Sequence, residues 1–364
     1  MYTSRVRAST LVFCRGIYKP SALSLVVCGA TVAACIALYF KIATPQFIIE
    51  NTPRLATYDG DDDIFITSDI LRLRHETTPQ RTVYLVGDSA LREVVMEHQL
   101  AIELKNAGQA HRIMDLRSGG QTLLESLAII DNINSISSGL VVLGVSARTF
   151  HLEKTDYDSA ATGNRRGFTS SALSDFLIAS GKKSFRITGV YAIDNFHFLL
   201  PRLIEHWRAP EGRITKRVAH QELHQPPQPL SELTASIQEY IRELSLPFEN
   251  FEKRSRNGLA VLQAIAENVN RNNGLDLLLI EKPLNPLFIH QYLPDSFVQK
   301  YQHLMTKIAV RLNVSYLNPV HHFKPDPADF TDLIHVTGGV TAMKYTSLLA
   351  EGITNARNQQ TAHP

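Results

Sequence analysis

The sequence predicts an α/β domain: about five parallel strands covered by helices on both faces, with helical structure inserted between strands three and four. A single membrane-spanning helix is predicted ahead of it. Three observations carry this. From Arg81 onward, short β-branched apolar runs alternate with stretches of helical periodicity; glycine-rich breaks fall directly after the strands; and residues 22–40 hold no charge.

The amino-terminal segment comes first. Ala22 to Phe40 (ALSLVVCGATVAACIALYF) is long enough, at about 1.5 Å per helical residue, to cross a hydrocarbon core of about 30 Å. Arg5, Arg7, Arg15 and Lys19 precede it and only Lys41 follows closely. This bias predicts residues 1–21 in the cytoplasm and the body on the periplasmic or extracellular side of the cell membrane. Two rivals are a cleaved signal sequence and a lipoprotein signal, since Val32-Ala33-Ala34-Cys35 resembles a lipid-attachment box. A third is a buried helix of a soluble core. Ile36 to Phe40 prolong the apolar run past Cys35, which favours an uncleaved anchor.

Composition bounds what the rest can do. With 364 residues, 44% apolar and 20% charged, the chain can bury a sizeable core. Residues 1–41 carry five basic residues and no acid, so the remainder has 32 basic against 35 acidic residues, a net charge of −3. Such a body is no general nucleic-acid binder, because phosphate neutralisation needs a basic surface. Cys14, Cys28 and Cys35 all lie near the amino terminus, leaving the body without a disulfide, a cysteine zinc site or a thiol nucleophile. A Walker loop, a dinucleotide fingerprint, HExxH and Gly-x-Ser-x-Gly are all missing, and no cofactor or metal is expected.

Residues 41–80, with Pro45, Pro53, Pro79 and the acidic cluster Asp59 to Asp63, read as a stalk or linker. The domain is expected over 81–355. Thr82 to Val86 is the first strand, followed by Gly87-Asp88-Ser89 and a helix through Leu91, Val94, Val95 and Ile102. Arg112 to Leu116 is the second, followed by Arg117-Ser118-Gly119-Gly120 and a helix through Leu123, Leu124, Leu127 and Ile130. Leu140 to Leu143 is the third, closed by Gly144. Leu277 to Ile280 and Val314 to Leu317 are the fourth and fifth, separated by a helix from Phe297 to Leu312. A final helix runs from Thr341 to Ile353, and residues 356–364 form a tail. Residues 151–274 exceed any simple crossover; helical stretches near 195–207, 231–244 and 253–270, the second after the turn Gln225 to Pro229, predict a cap over the active face.

In parallel sheets ligands bind at the carboxyl ends of the strands. Two clusters are expected there. Ser89 follows strand one at the start of a helix, where it serves either as a nucleophile beside free N–H groups or simply as the helix cap. Asp332-Leu333-Ile334-His335 follows strand five, with an acid placed to orient an imidazole through one ring nitrogen and leave the other as base. Together they supply nucleophile, base and orienter.

These blocks resemble the SGNH, or GDSL-like, hydrolases over roughly residues 81–150 and 275–355. The resemblance implies a three-layer flavodoxin-like fold with Ser89 as nucleophile, His335 as general base and Asp332 as its partner. It implies an oxyanion hole from the Ser89 N–H, a second-block glycine (Gly120 in preference to Gly119) and a third-block side chain. Here the sequence departs from the family: Gly144-Val145-Ser146 stands where Gly-x-Asn is usual, so Ser146 would donate in place of Asn. Losing such a donor costs about 3–4 kcal/mol of transition-state stabilisation.

An anchored extracytoplasmic domain of this kind, with Ile280 to Pro286 after strand four, resembles the branch serving polysaccharide O-acetylation and teichoic-acid D-alanylation. That branch works on acylated glycans, commonly beside a membrane-bound O-acyltransferase. The expected function is an esterase or O-acyltransferase acting on acyl esters of a cell-envelope glycan. Two alternatives stand beside it: a non-catalytic accessory or scaffold protein, favoured by the missing Asn, and a periplasmic lipid or thioester hydrolase.

Other polar groups have plainer readings. Arg117 and Arg148 follow strands two and three and either hold an anionic substrate or form surface ion pairs. His321-His322 with Asp326 reads as loop rather than metal cluster, because adjacent residues on an extended segment face opposite ways. Phe196, Phe198 and Trp207 read as packing within the cap rather than a sugar platform.

Overall fold

A computed structural model describes residues 21–58, 61–75, 81–109, 111–134, 138–162, 165–208, 230–244, 246–271, 274–319, 322 and 324–361. Cys14, Asp59, Pro79, the turn Gln225 to Pro229 and His321 lie outside them, as do residues 1–20.

The strands are β1 (Thr82–Val86), β2 (Arg112–Asp115), β3 (Gly139–Val145), β4 (Leu275–Glu281) and β5 (Ser315–Leu317). They form one sheet in the order β2-β1-β3-β4-β5, parallel throughout, with Val83 opposite Ile113 and Leu140, and Leu143 opposite Leu279. β1 is flanked by β2 on one side and β3 on the other, so the chain reverses its direction of travel across the sheet beside β1. A crevice opens at such a switch point, outside the carboxyl ends of the strands.

Alternation along the strands sends side chains into two cores. One face buries Tyr84, Val86, Val141, Leu143, Leu277 and Leu279 against α3 (Asp62–Leu73), α6 (Leu123–Asn134), α13 (Arg256–Asn270) and α15 (Asp295–Leu312). The other buries Val83, Leu85, Val142, Leu278 and Ile280 against α4 (Ser89–Val94), α5 (Glu97–Asn106) and α16 (Val340–Thr361). Fully burying each of these aliphatic side chains contributes about 1.5–3 kcal/mol. α4 lies close to the sheet because Gly144 has no Cβ: one built there would stand 3.0 Å from the Leu91 side chain.

Ahead of the domain, α1 (Ala22–Ile42) is long and apolar enough to cross a membrane, and none of it is buried. Its helix runs unbroken through Cys35.

Where the structure describes the stretch 41–80 expected to be a stalk, it forms two helices packed on the domain. α2 (Pro45–Leu55) starts with Thr44 accepting from Phe47 N–H, and α3 buries Ile66, Ile70 and Leu73 in the main core. Asp61, Asp62 and Asp63 of the acidic cluster are folded inward because distant arginines neutralise them. Asp61 pairs with Arg202 at 3.0 Å, Asp62 with Arg92 of α4, and Asp63 with Arg165 at 3.2 Å and Arg166 at 2.8 Å. None of these partners is near in sequence, so local patterning gave no sign of them.

Between β3 and β4 lie a 3-10 turn (Ala147–Phe150) and α7 (Lys154–Thr162), α8 (Ser171–Ala179), α9 (Tyr191–Asp194), α10 (Phe196–Arg208), α11 (Leu230–Leu244), α12 (Phe248–Arg254) and α13. The three helical stretches expected to form a cap go to three places. α11 stands at the carboxyl edge of the sheet beside the 3-10 turn; α13 is a sheet-covering helix packed on α6 and β4; and α10 packs through Phe198, Leu199 and Leu203 beside the α2–α3 pair. After β4 comes α14 (Pro286–Tyr292).

Candidate active site

The site assembles where β1 meets α4. Asp88 caps α4, its carboxylate accepting from the Leu91 N–H at 3.4 Å, so Ser89 is the first helical residue and not the cap. The capping role considered for Ser89 thus falls to its neighbour. Ser89 stands among the N–H groups of the first turn, which have no carbonyl partners within the helix.

His335 comes from the far end of the chain and lies with its Nε2 2.8 Å from Ser89 Oγ. Its Nδ1–H donates to Asp332 Oδ2 at 2.7 Å. Asp332 is itself locked: its Oδ1 accepts from the Ile334 and His335 N–H groups, both at 2.8 Å. A short bridge between Phe330 and Val336 and the Thr331 N–H to His335 carbonyl bond at 2.8 Å close the turn. Asp332-x-x-His335 is therefore a self-bonded loop that presents one imidazole nitrogen outward.

One segment grips both halves of this arrangement. Lys282, buried at the end of β4, donates to Asp88, the residue before the serine. Asn285 caps α14, receives the Leu287 N–H, donates its side-chain N–H to the Asp332 carbonyl at 3.1 Å, and donates its backbone N–H to the Leu333 carbonyl at 2.9 Å. Both lie in the stretch Ile280 to Pro286 that carries the resemblance, but neither was read from the sequence as a site residue. The signal was present in their position, within four residues of the carboxyl end of an interior strand.

Electrostatics follow from these contacts. Burial opposes the imidazolium of His335, but its bond to Asp332 and the charges of Glu93, Asp332 and Asp88 outweigh it and raise the pKa above 6.5. Burial would lift Asp332, yet the hydrogen bonds from His335 and from the Ile334 and His335 N–H groups carry it below the usual aspartate range. Asp88 likewise overcomes burial through Lys282 and is held low. Glu93 goes the other way, pushed up to about 6 chiefly by burial. It sits one helical turn after Ser89, an i, i+4 relation that could have marked it. Glu281, at the end of β4, is pushed up to about 8 by burial, although the Tyr301 and Tyr316 hydroxyls donate to it at 3.1 and 3.0 Å.

The loop after β2 supplies the glycines. Gly120 has φ +63°, a left-handed conformation that a side chain would strain. Arg165 donates to the carbonyls of Gly119 and Gly120, the latter at 3.1 Å, and is itself held by Glu125 at 2.9 Å. Because a trans peptide points its N–H opposite to its C=O, Arg165 turns the Gly120 N–H away from itself and fixes the peptide plane. Below the loop, Ser118 Oγ accepts from Arg166 at 2.7 Å.

Ser146 stands directly after β3, at the carboxyl end of the strand. It is buried, and it caps the 3-10 turn with its hydroxyl 3.1 Å from Thr149 Oγ1. Arg117 is not where a substrate ligand would be. Only 1% exposed, it donates to Asp115, to Glu97 and to the carbonyls of Leu91 and Val95 at 3.0 and 2.9 Å. It closes the carboxyl end of α4, where helix carbonyls lack partners and favour a cation. Arg148 does face the site. Paired with Glu243 at 2.7 Å and lying over the Tyr240 ring, it lines a cavity of about 130 Å³ between α11 and the Asp332–His335 turn.

Among the described residues, no group of three or more His, Cys, Asp or Glu is arranged to hold a metal ion, and Asp326 caps a 3-10 turn by accepting from the Ala328 N–H. A scan against protein-family models finds no match to this chain, and a search of curated proteins finds none.

Proposed function

We propose that the chain is a membrane-anchored serine esterase or O-acyltransferase of the SGNH type, facing the periplasm or cell exterior and acting on acyl esters of a cell-envelope glycan. The observation that carries this reading is the hydrogen-bonded series Ser89, His335, Asp332 at the carboxyl edge of a parallel sheet. The strand order 2-1-3-4-5 supports the flavodoxin-like fold that the resemblance implies.

In this reading the Ser89 hydroxyl attacks the ester carbonyl and passes its proton to His335 Nε2, while Asp332 stabilises the imidazolium. The oxyanion forms beside the first N–H groups of α4 and the Gly120 N–H, and the Ser146 hydroxyl, which accepts within the 3-10 turn, keeps its hydrogen as a further donor. His335 returns the proton to the leaving alcohol, so the ester bond breaks as the acyl-serine forms. A glycan hydroxyl or water then gives a proton to His335 and takes the acyl group, restoring Ser89. Transfer and hydrolysis differ only in that acceptor. Arg148, beside the imidazole, meets an anionic group of the substrate. A membrane-bound O-acyltransferase is the proposed donor-side partner.

Ser146, standing where the resemblance expects an Asn, and the large insertion between β3 and β4 favour a second reading, an accessory protein that keeps the fold and serves the transferase without chemistry of its own. The test is labelling of the full chain in detergent by a fluorophosphonate, followed by intact mass. One adduct on the wild type and none on Ser89→Ala supports the enzyme; no adduct on a folded wild type favours the accessory protein. Cleavage of long acyl esters or thioesters in preference to acetyl esters would redirect the reading to a lipid or thioester hydrolase.

A further inference from the structure

α10 carries more apolar surface than the body covers. At about 100° per residue, Leu199, Leu203, Phe196, Trp207, Leu200 and Ile204 follow one another around an arc of about 140°. The first two are buried against the helices that follow α1. The arc then continues into solvent: Phe196 is 42% exposed, Ile204 36% and Trp207 60%. Short α9, just ahead, adds Ile193 and its neighbour Val190, both exposed. Large apolar side chains gathered in this way mark a contact surface rather than chance exposure.

What covers this surface is indicated by where it sits. Tyr39, next to last in the uncharged run 22–40, donates its hydroxyl to the Ala192 carbonyl at 2.7 Å, and its ring meets that of Phe196 edge-on at 5.5 Å. α9 and the start of α10 are thus bonded to α1 at the level where its apolar run ends. If α1 crosses a bilayer, that level is the headgroup boundary, where Trp and Tyr are favoured. Charge agrees. Lys183 and Arg186 are exposed on the segment leading to α9. Of the two acids in residues 181–208, Asp194 is occupied by the Thr188 and Gly189 N–H groups at 2.8 and 2.9 Å, and Glu205, on the side of α10 opposite Phe196, pairs with Arg208 at 3.7 Å.

We propose that α9, α10 and the turn before them form a shoulder that lies in the membrane interface beside α1, with Val190, Ile193, Phe196, Ile204 and Trp207 among the upper acyl carbons. Lys183 and Arg186 face anionic lipid phosphates. The ligand is an anionic phospholipid surface, and the proposal rests on α1 spanning the bilayer. Two attachments in place of one hold the domain at a fixed tilt, which a single flexible tether would not.

Trp207 is the only tryptophan in the chain, so its fluorescence reports the shoulder directly. The full-length protein is reconstituted in vesicles of equal parts phosphatidylcholine and phosphatidylglycerol, with or without phosphatidylcholine brominated at its upper acyl carbons. Alkaline carbonate extraction reports α1 separately. The expected result is retention in the vesicles with about twofold quenching by the brominated lipid. Ile193→Asp with Ile204→Asp should remove most of that quenching without changing the circular dichroism, and omitting phosphatidylglycerol should weaken it. Retention without quenching would overturn the shoulder while leaving α1 as a span. Shielding from iodide without quenching by bromine would do the same, pointing to a second copy as the cover. Loss of the protein to carbonate would overturn the span and the shoulder with it. Quenching unaltered by lipid charge would overturn the role of Lys183 and Arg186.

Discussion

The two edges of the sheet differ in a way that volume alone conceals. At the amino edge, a cavity of about 460 Å³ is lined by the first residues of β3, β4 and β5 together with Arg81, His111 and Asp276. At the carboxyl edge, the cavity beside His335 measures only about 130 Å³. Yet the smaller site holds the hydrogen-bonded serine, imidazole and carboxylate, two buried ionisable residues at the end of β4, and the start of a helix. Parallel strands point the helix amino termini that follow them toward one edge, and with them the unpaired N–H groups and the residues that cap them. Chemistry gathers where those groups converge. The roomier edge receives strand beginnings and helix ends.

Substitutions can break or sharpen this contrast. The largest effect is expected from Ser89→Ala or His335→Ala, each lowering kcat/KM by about 10³-fold or more with the melting temperature nearly unchanged. Steady-state hydrolysis of a chromogenic acetyl ester, with a melting curve, reads both. Normal turnover in either variant would remove the carboxyl edge from the reaction.

Next is Arg165→Met. Freed carbonyls at Gly119 and Gly120 let the Gly120 N–H turn, and kcat should fall about 10–100-fold with KM little moved, as for a lost oxyanion donor. A KM effect alone would show that Arg165 shapes binding instead.

Glu281 tests the edge through stability. Its pKa is raised to about 8 in the folded chain. The folded state therefore holds a proton that the unfolded state loses near pH 4.5, and the stabilisation is complete below that pH and lost as pH rises toward 8. Between pH 5 and 8 the wild type should lose on the order of 3–4 kcal/mol more than Glu281→Gln in urea titrations. Parallel slopes would place the carboxyl in a wetter setting.

Smaller still is Glu93→Gln. Above about pH 6 the Glu93 carboxylate helps hold the His335 pKa up, and the base must be neutral to act. Removing that charge should move the acidic limb of kcat/KM toward lower pH by a fraction of a unit. At the amino edge, Arg81 and Asp276 form a half-exposed pair at 3.7 Å. Arg81→Ala should change stability by about 0.5 kcal/mol or less and leave turnover untouched. A marked loss of activity there would break the contrast.

The chain's periodicities made the five strands and the helices after β1, β2, β4 and β5 legible, because alternation and helical spacing are written within a few residues. The strand-turn-helix position of Ser89 and the Asp332-x-x-His335 spacing were legible for the same reason. α3, read as stalk, and α13, read as cap, took their places against the sheet only in the fold. Arg117 and Arg148 looked alike, each just beyond a strand. One turned back under α4 to meet the carbonyls of Leu91 and Val95, and the other turned outward to Glu243. The acidic cluster at 61–63 looked like part of a stalk, since Arg92, Arg165, Arg166 and Arg202 are far away in sequence.

By itself, then, the sequence indicated the five strands and the helices that follow β1, β2, β4 and β5, which run is apolar enough to span a bilayer, and which side chains stand at strand ends. Only the tertiary structure decided partners. It joined Ser89 to His335 across 246 residues, gave Lys282 and Asn285 their grip on both halves of the site, and sent α10 to the anchor and α11 to the carboxyl edge. The physical reason is range. Periodicity is set by local backbone geometry, whereas a charge or hydrogen-bonding group is satisfied by whatever the completed fold brings within about 3 Å of it.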